Sequence, residues 1–172
     1  MAANTEKLFF RMELQDEFLL LKPAASSDFE TLFAVASDPL IWKQHNAHDR
    51  WKEEVFKQFF ADGMANELGM YLIIDKRTGA VIGGTRFYKY DPGLKEVRIG
   101  YTFLARACWG TGINRRVKNL MLNHAFQKVT TVYFDVFEKN FRSQHALKKL
   151  GARKVAKIKD KLVFALTPKD CG

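Results

Sequence analysis

Cysteine is scarce: Cys108 and Cys171 are the only two in 172 residues, and they lie far apart. They make no CxxC pair and no metal-ligand spacing, and so few thiols point to a reducing compartment. Long apolar runs are missing too. No segment approaches the roughly 18 consecutive apolar residues of a membrane span. The opening stretch "MAANTEKLFFRMELQDEF" alternates charged and apolar residues too closely for a signal peptide. There is no internal repeat, no low-complexity tract and no linker rich in Pro, Gly or Ser. The expectation is one domain spanning residues 1–172, located in the cytoplasm.

What is present is apolar bulk and positive charge. Apolar residues make up 47% and charged residues 27%, which is a globular balance, and 15 Phe supply much of the potential core. The net charge of +9 favours an anionic partner: nucleic acid, a membrane surface or a phosphorylated small molecule. Charge alone does not choose among these, and a solubilising surface explains it equally well.

The apolar pattern marks the elements. "EFLLLKP" is a short run stopped by proline and predicts a strand. "SSDFETLFAVASDP" offers Ser27 or Asp28 as a helix N-cap, with Phe29, Leu32, Phe33 and Ala36 at helical spacing. "DRWKEEVFKQFFADGMAN" predicts a second helix with Trp51, Val55, Gln58/Phe59 and Asp62 on successive turns. "MYLIID", the turn "KRTG" and "AVIGGTRFYKY" form a hairpin. "KEVRIGYTFLA" is a strand whose alternation places Val97, Ile99, Tyr101 and Phe103 on one face. A helix follows with Ile113, Val117, Leu120/Met121 and His124/Ala125 in a stripe, then the strand "TTVYFDVF" and a short helix closed by Gly151. "KVAKI" and "KLVFAL" make a closing hairpin. This order is α+β, or mixed-sheet α/β, rather than a doubly wound parallel fold.

Between the fifth of these segments and its helix lies "CWGTGINRR" (Cys108–Arg116). A helix N-terminus carries unpaired N–H groups and a partial positive charge, so strand–loop–helix is an anion site if the loop can gather those groups. Gly110 and Gly112 permit that, and Arg115 and Arg116 add charge. A P-loop is excluded because no GK[ST] follows, and a dinucleotide fingerprint is disfavoured because Arg115 stands at its third glycine. The GxG by itself leaves a plain turn and a phosphate cradle equally open.

The wider motif carries a resemblance. "RIGYTFLARACWGTGINRRVKNLMLNHAF", followed by "YFDVFEKNFRSQHALKKLGARK", resembles the GCN5-related N-acetyltransferase (GNAT) superfamily and is most similar to its RimJ/RimL-like branch. The resemblance spans nearly the whole chain. The pairing of W-G-x-G-x-N with a later N-x-x-S-x-x-x-x-K-x-G is its specific part. It implies a central, mostly antiparallel mixed sheet of about six or seven strands flanked by about four helices. It implies acetyl-CoA as cosubstrate, with pyrophosphate on the N–H groups of Trp109, Gly110, Thr111, Gly112, Ile113 and Asn114, and Arg115 nearby. Pantetheine is implied beside Phe103 and Leu104 as an added strand. The family's Q/R-x-x-G-x-G/A signature has Ala107 at its first position here, which removes one side-chain contact and leaves the backbone cradle.

The resemblance also implies the chemistry: a primary amine, at a protein N-terminus or on a small molecule, attacks the thioester directly in a ternary complex. Ser143 is then the donor to the CoA sulfur, Asn140 a binder of the pantetheine amides, and a backbone N–H near Leu104 the oxyanion donor. Relatives often carry Glu in "EIGY"; here the position is Arg98, which leaves as base Glu96 two residues earlier acting through a water, another carboxylate supplied by the fold, or none if the amine has a low pKa. Arg98 is a candidate contact to an acidic acceptor, and Trp42 and Trp51 fall where the family places the acceptor. His45 and His48 form an HxxH without further ligands, so no metal is expected. The expected partners are acetyl-CoA and an amine acceptor, with no nucleic acid and no membrane, for a monomer or homodimer. Two other readings stay open: a CoA-binding protein with lost catalysis, motivated by Arg98 and Ala107, and a nucleic-acid-binding module, motivated by the charge.

Overall fold

The computed structural model describes residues 2–171. Eight strands form one sheet, ordered β1-β2-β3-β4-β5-β6-β8-β7. The strands are β1 (Leu14–Gln15), β2 (Leu19–Pro23), β3 (Tyr71–Asp75), β4 (Ala80–Asp91), β5 (Glu96–Leu104), β6 (Thr131–Phe137), β7 (Arg153–Ile158) and β8 (Lys161–Leu166). Every neighbouring pair is antiparallel except β5 and β6, which run parallel. The helices are α1 (Ala2–Phe9), α2 (Phe29–Ala36), α3 (Glu53–Ala65), α4 (Ile113–Ala125) and α5 (Phe141–Lys149). The mixed α+β architecture is the expected one, with β1 and α1 added to it.

Helix α1 follows from tertiary packing rather than from a visible apolar stripe. Phe10, just past its end, is fully buried against Phe87, and Phe9 stacks on the ring of His124 at 3.8 Å. Tyr71 then donates its hydroxyl proton toward the carbonyls of Phe10 and Met12, tying the segment to β3. His124 is a core residue whose Nε2 sits 2.6 Å from the Phe9 carbonyl.

Two cores cover the two faces of the sheet. One gathers Val97, Ile99, Leu104, Val117, Met121 and Leu147, so α4 and α5 pack there. The other gathers Leu32, Trp42, Phe56, Phe59, Leu72 and Phe103 beneath α2 and α3. The buried face of α3 is Phe56, Phe59, Phe60 and Gly63, one position on from the expected stripe, and Trp51 precedes the helix instead of beginning it. Helix α2 buries Leu32 and Ala36, as its spacing predicts, and Gly151 follows α5 at φ +95°.

Strict alternation fails in β5. The register against β4 shifts between Gly84 and Arg86, and Tyr101 has φ +55°. This is a β-bulge: an extra residue on one strand, which bends it and re-aims the side chains beyond. Tyr101 is therefore exposed, and Phe103 belongs to the α2/α3 core while Val97 and Ile99 belong to the α4 core. The expectation of a single face for these four residues is corrected accordingly.

Candidate active site

The bulge positions the site. Strands β5 and β6 are paired only from Glu96 to Arg98 against Thr131 to Tyr133. Beyond Arg98 they splay, and a cavity of about 420 Å³ opens between Ile99–Leu104 on one side and Phe134–Phe137 on the other. The edge of β5 facing this gap has no ladder partner there, so it presents backbone N–H and C=O groups to whatever enters.

The glycine turn closes one end. Gly110 and Gly112 have φ of +73° and +85°, and a Cβ placed on either meets no atom within 4 Å. The conformation calls for glycine, and the space above it is open. Gly112 is the N-cap of α4 and has no side-chain cap, so the first-turn N–H groups of the helix keep their unmet donor capacity. Gly110, Gly112, Asn114 and Arg115 line the cavity. Trp109 also lines it, its indole N–H donating to the Leu104 carbonyl at 3.1 Å and its face covered by the Arg142 guanidinium at 3.6 Å. Thr111 instead hydrogen-bonds the Cys108 carbonyl, and Ile113 packs into the α4 core. Arg116 faces away, paired with Asp16 at 2.8 Å and stacked on Phe18.

Helix α5 supplies the other wall. Asn140, 7% exposed, is its N-cap, and its Oδ1 accepts from the Ser143 N–H at 3.3 Å. Because Asn140 takes the capping role, the Ser143 hydroxyl is not needed for it. That hydroxyl has no intramolecular partner among the described residues, and both residues line the cavity.

Not every expected residue arrives. Phe103, Leu104, Trp42, Asn140 and Ser143 converge on the cavity, whereas Glu96, Arg98 and Trp51 are not in its lining. Arg98 is spoken for: its Nη1 donates to Asp135 Oδ1 at 2.5 Å, while the Tyr88 hydroxyl donates to Oδ2 at 2.8 Å. Asp135 is the carboxylate that lines the cavity among the described residues. Trp51 is partly exposed and carries Lys52 over its ring. His45 lines the cavity but His48 does not, and among the described residues no group of three or more His, Cys, Asp or Glu gathers as for a metal.

Lys118 and Asp135 are not singled out by the sequence, whereas His45 stands in the HxxH and Cys108 opens the glycine segment. Lys118, 6% exposed, reaches the cavity from α4 and donates to Thr102 Oγ1 at 2.6 Å, which in turn lies 2.8 Å from Thr85 Oγ1. Burial without a carboxylate pushes its ammonium down to about 7. Its adjacency to the apolar stripe of Val117 and Met121 was the one available hint. His45 is held down to about 4 by burial, with Arg50 and Arg142 adding to the effect, so its imidazole is neutral at pH 7. Cys108 is a buried free thiol raised by the same burial.

The fold matches known proteins. Solved structures align over nearly the whole chain: a GCN5-related N-acetyltransferase from Brucella melitensis (TM-score 0.81, 16% identity, 93% of this chain and 80% of that one). A GNAT-family acetyltransferase from Bacillus anthracis aligns with TM-score 0.74 at 18% identity, over 92% and 99%. A spermidine N-acetyltransferase from Vibrio cholerae, in complex with CoA and spermine, aligns with TM-score 0.70 at 12% identity, over 91% and 99%. At these identities the likeness establishes the fold. The family model for the acetyltransferase (GNAT) domain matches residues 19–153, and the chain belongs to that family of acetyltransferases.

Proposed function

We propose that the protein is an acetyl-CoA-dependent N-acetyltransferase of the RimJ/RimL-like kind, acting on a primary amine in a ternary complex. The observation that carries this is the open edge of β5 running into the uncapped N-terminus of α4. That geometry offers one extended strand partner and one anion cradle in line, which fits pantetheine followed by pyrophosphate.

When bound, acetyl-CoA supplies the acetyl thioester, whose C–S bond breaks as the amine's C–N bond forms. The chain's own residues do the rest. The turn from Trp109 to Asn114 holds the diphosphate through backbone N–H groups, with Arg115 alongside. Asn140 keeps the first turn of α5 in place, so that the Ser143 hydroxyl faces the cavity and donates toward the thiolate. A β5 N–H near Leu104 faces the carbonyl oxygen. Asp135 takes the amine's proton through water, in place of Glu96.

The test is calorimetric titration with acetyl-CoA together with thiol detection over a panel of amines. Amine-dependent release of CoA thiol supports the reading. Tight acetyl-CoA binding with no transfer to any amine favours a CoA-binding protein without catalysis. The tie between Arg98 and Asp135 is the observation behind that second reading, because it engages the cavity's carboxylate.

A further inference from the structure

On the α2/α3 side of the cavity the molecule buries two arginines with no direct ion pair: Asp62 acts on both only through space, Asp49 likewise on Arg50, and Arg86 Nη2 donates to the Phe59 carbonyl at 2.8 Å. Arg86, on β4, is 4% exposed, and its Nε has no hydrogen-bond partner among the described residues. Arg50, in the loop before α3, has a buried Nη1 in the same condition. Both guanidinium carbons lie over the Phe59 ring, at 4.4 and 4.5 Å from its centroid. Neither makes an ion pair among the described residues, and the nearby Asp62 carboxylate instead accepts from Gln58.

Two like charges sharing one aromatic ring, each with an orphaned donor, are costly for the free protein. The expense is intelligible if a ligand brings the missing anion. The pair stands behind the cavity wall: neither arginine is in the lining, but Arg50 lies over Trp42 at 5.2 Å and Arg86 over Tyr101 at 4.2 Å, and both of those aromatic residues line it. Tyr101 is the bulge residue, so the pair stands next to the point where β5 leaves β6.

We propose that Arg50 and Arg86 form an anion subsite for the acceptor, so that the amine acetylated is one that also carries a carboxylate. The inference rests on the acetyltransferase reading above and narrows its substrate class. The planar donor fork of arginine matches a carboxylate, and the walls of Trp42 and Tyr101 suit an apolar body between the two charged ends. A polyamine, which carries only positive charge, meets repulsion at the same place.

The experiment compares matched acceptors with acetyl-CoA-loaded protein: phenylalanine against phenylalaninamide, O-phosphoethanolamine against ethanolamine, and spermine alone. Both turnover and equilibrium binding are measured. The expected result is a kcat/KM at least about tenfold higher for phenylalanine than for its amide, with spermine inert. The amide's amine is the less basic of the two, so more of it is neutral at pH 7, and the supply of free amine alone favours the opposite order. A preference for the phosphate-bearing amine over phenylalanine would reassign the subsite to phosphate and overturn the carboxylate claim. Arg86→Gln, and independently Arg50→Gln, bring the acid-to-amide ratio toward one, while acetyl-CoA titration confirms that each variant is folded. Transfer to neutral amines with equal efficiency overturns the inference and leaves the acetyltransferase reading standing. Selective binding of phenylalanine without transfer does the reverse. No selectivity in either binding or turnover overturns the inference.

Discussion

The two ends of the cavity are built from different materials. The end at α4 is made of backbone: two left-handed glycines and an uncapped helix terminus. The end toward α3 is made of side chains from distant segments: Trp42 and Tyr101 line it, and Arg50, Phe59 and Arg86 pack behind them. A backbone site is encoded locally, because the residues that set its dihedrals are consecutive. A side-chain site exists only once strands and loops distant in sequence have been brought together. One fold can therefore keep its backbone-built end while the side-chain-built end changes.

The largest effect should come from breaking the backbone end. Gly112→Val places a branched side chain at φ +85°, a conformation that costs an L-residue about 1–2 kcal/mol, and fills the space above the turn. Acetyl-CoA affinity should fall about 100-fold by calorimetry, since the displaced turn no longer gathers its N–H groups. An unchanged affinity would put the diphosphate elsewhere.

Next in size is Ser143→Ala. Its hydroxyl is free of capping duty because Asn140 provides the cap, so the helix should tolerate the change. Turnover should drop about tenfold or more while the KM for acetyl-CoA stays within about twofold. Unchanged turnover removes Ser143 from the reaction.

This division also explains what the sequence revealed. The hairpin of β3 and β4, strand β6 and helices α4 and α5 were legible because each has its own periodicity and its own turn or cap residues. The GxG turn was legible as a possible cradle for the same local reason. The bulge at Tyr101 was not, because it depends on how β5 registers against Thr85 and Arg86 of β4. Its consequence, the reversal of Phe103 to the other face, was hidden with it. Glu96 and Arg98 were placed by analogy with a strand position, and the ion pair that holds Arg98 comes from Asp135, 37 residues away. The orphaned donors of Arg50 and Arg86 give no sequence signal at all, since an unpaired charge is a property of the packed molecule.

Lys118 gives a pH test on the wall shared by both ends. In the folded protein its ammonium titrates at about 7, and in the unfolded chain at its ordinary 10.5. Between those values the unfolded chain binds the extra proton, so this group makes stability rise with pH from about 7 to 10.5 and contributes no slope below 7. Lys118→Met lacks this titrating group, and the Thr85–Thr102 hydroxyl contact remains to satisfy Thr102. Urea titrations of both proteins from pH 6 to 10 should show the parent losing about 2 kcal/mol relative to the variant as pH falls from 9 to 7. Parallel curves would mean that Lys118 keeps its ammonium hydrated.

The smallest effect is the one that separates the two ends most sharply. Arg50→Met keeps an apolar stem against Trp42 and Phe59 but removes a buried cation and its orphaned Nη1 donor. The loss of two cation–π contacts, worth roughly 0.5–1 kcal/mol each, opposes the gain. Relief of the repulsion with Arg86 and of the desolvation cost should outweigh it, leaving the free protein more stable by about 1 kcal/mol. Saturating phenylalanine should reverse the order, because a bound carboxylate stabilises the parent and not the variant. A variant less stable than the parent both with and without the ligand would make Arg50 a structural residue. A reversal would show that the acceptor end is held in a strained, unneutralised state until its substrate completes it, which the backbone-built end never needs.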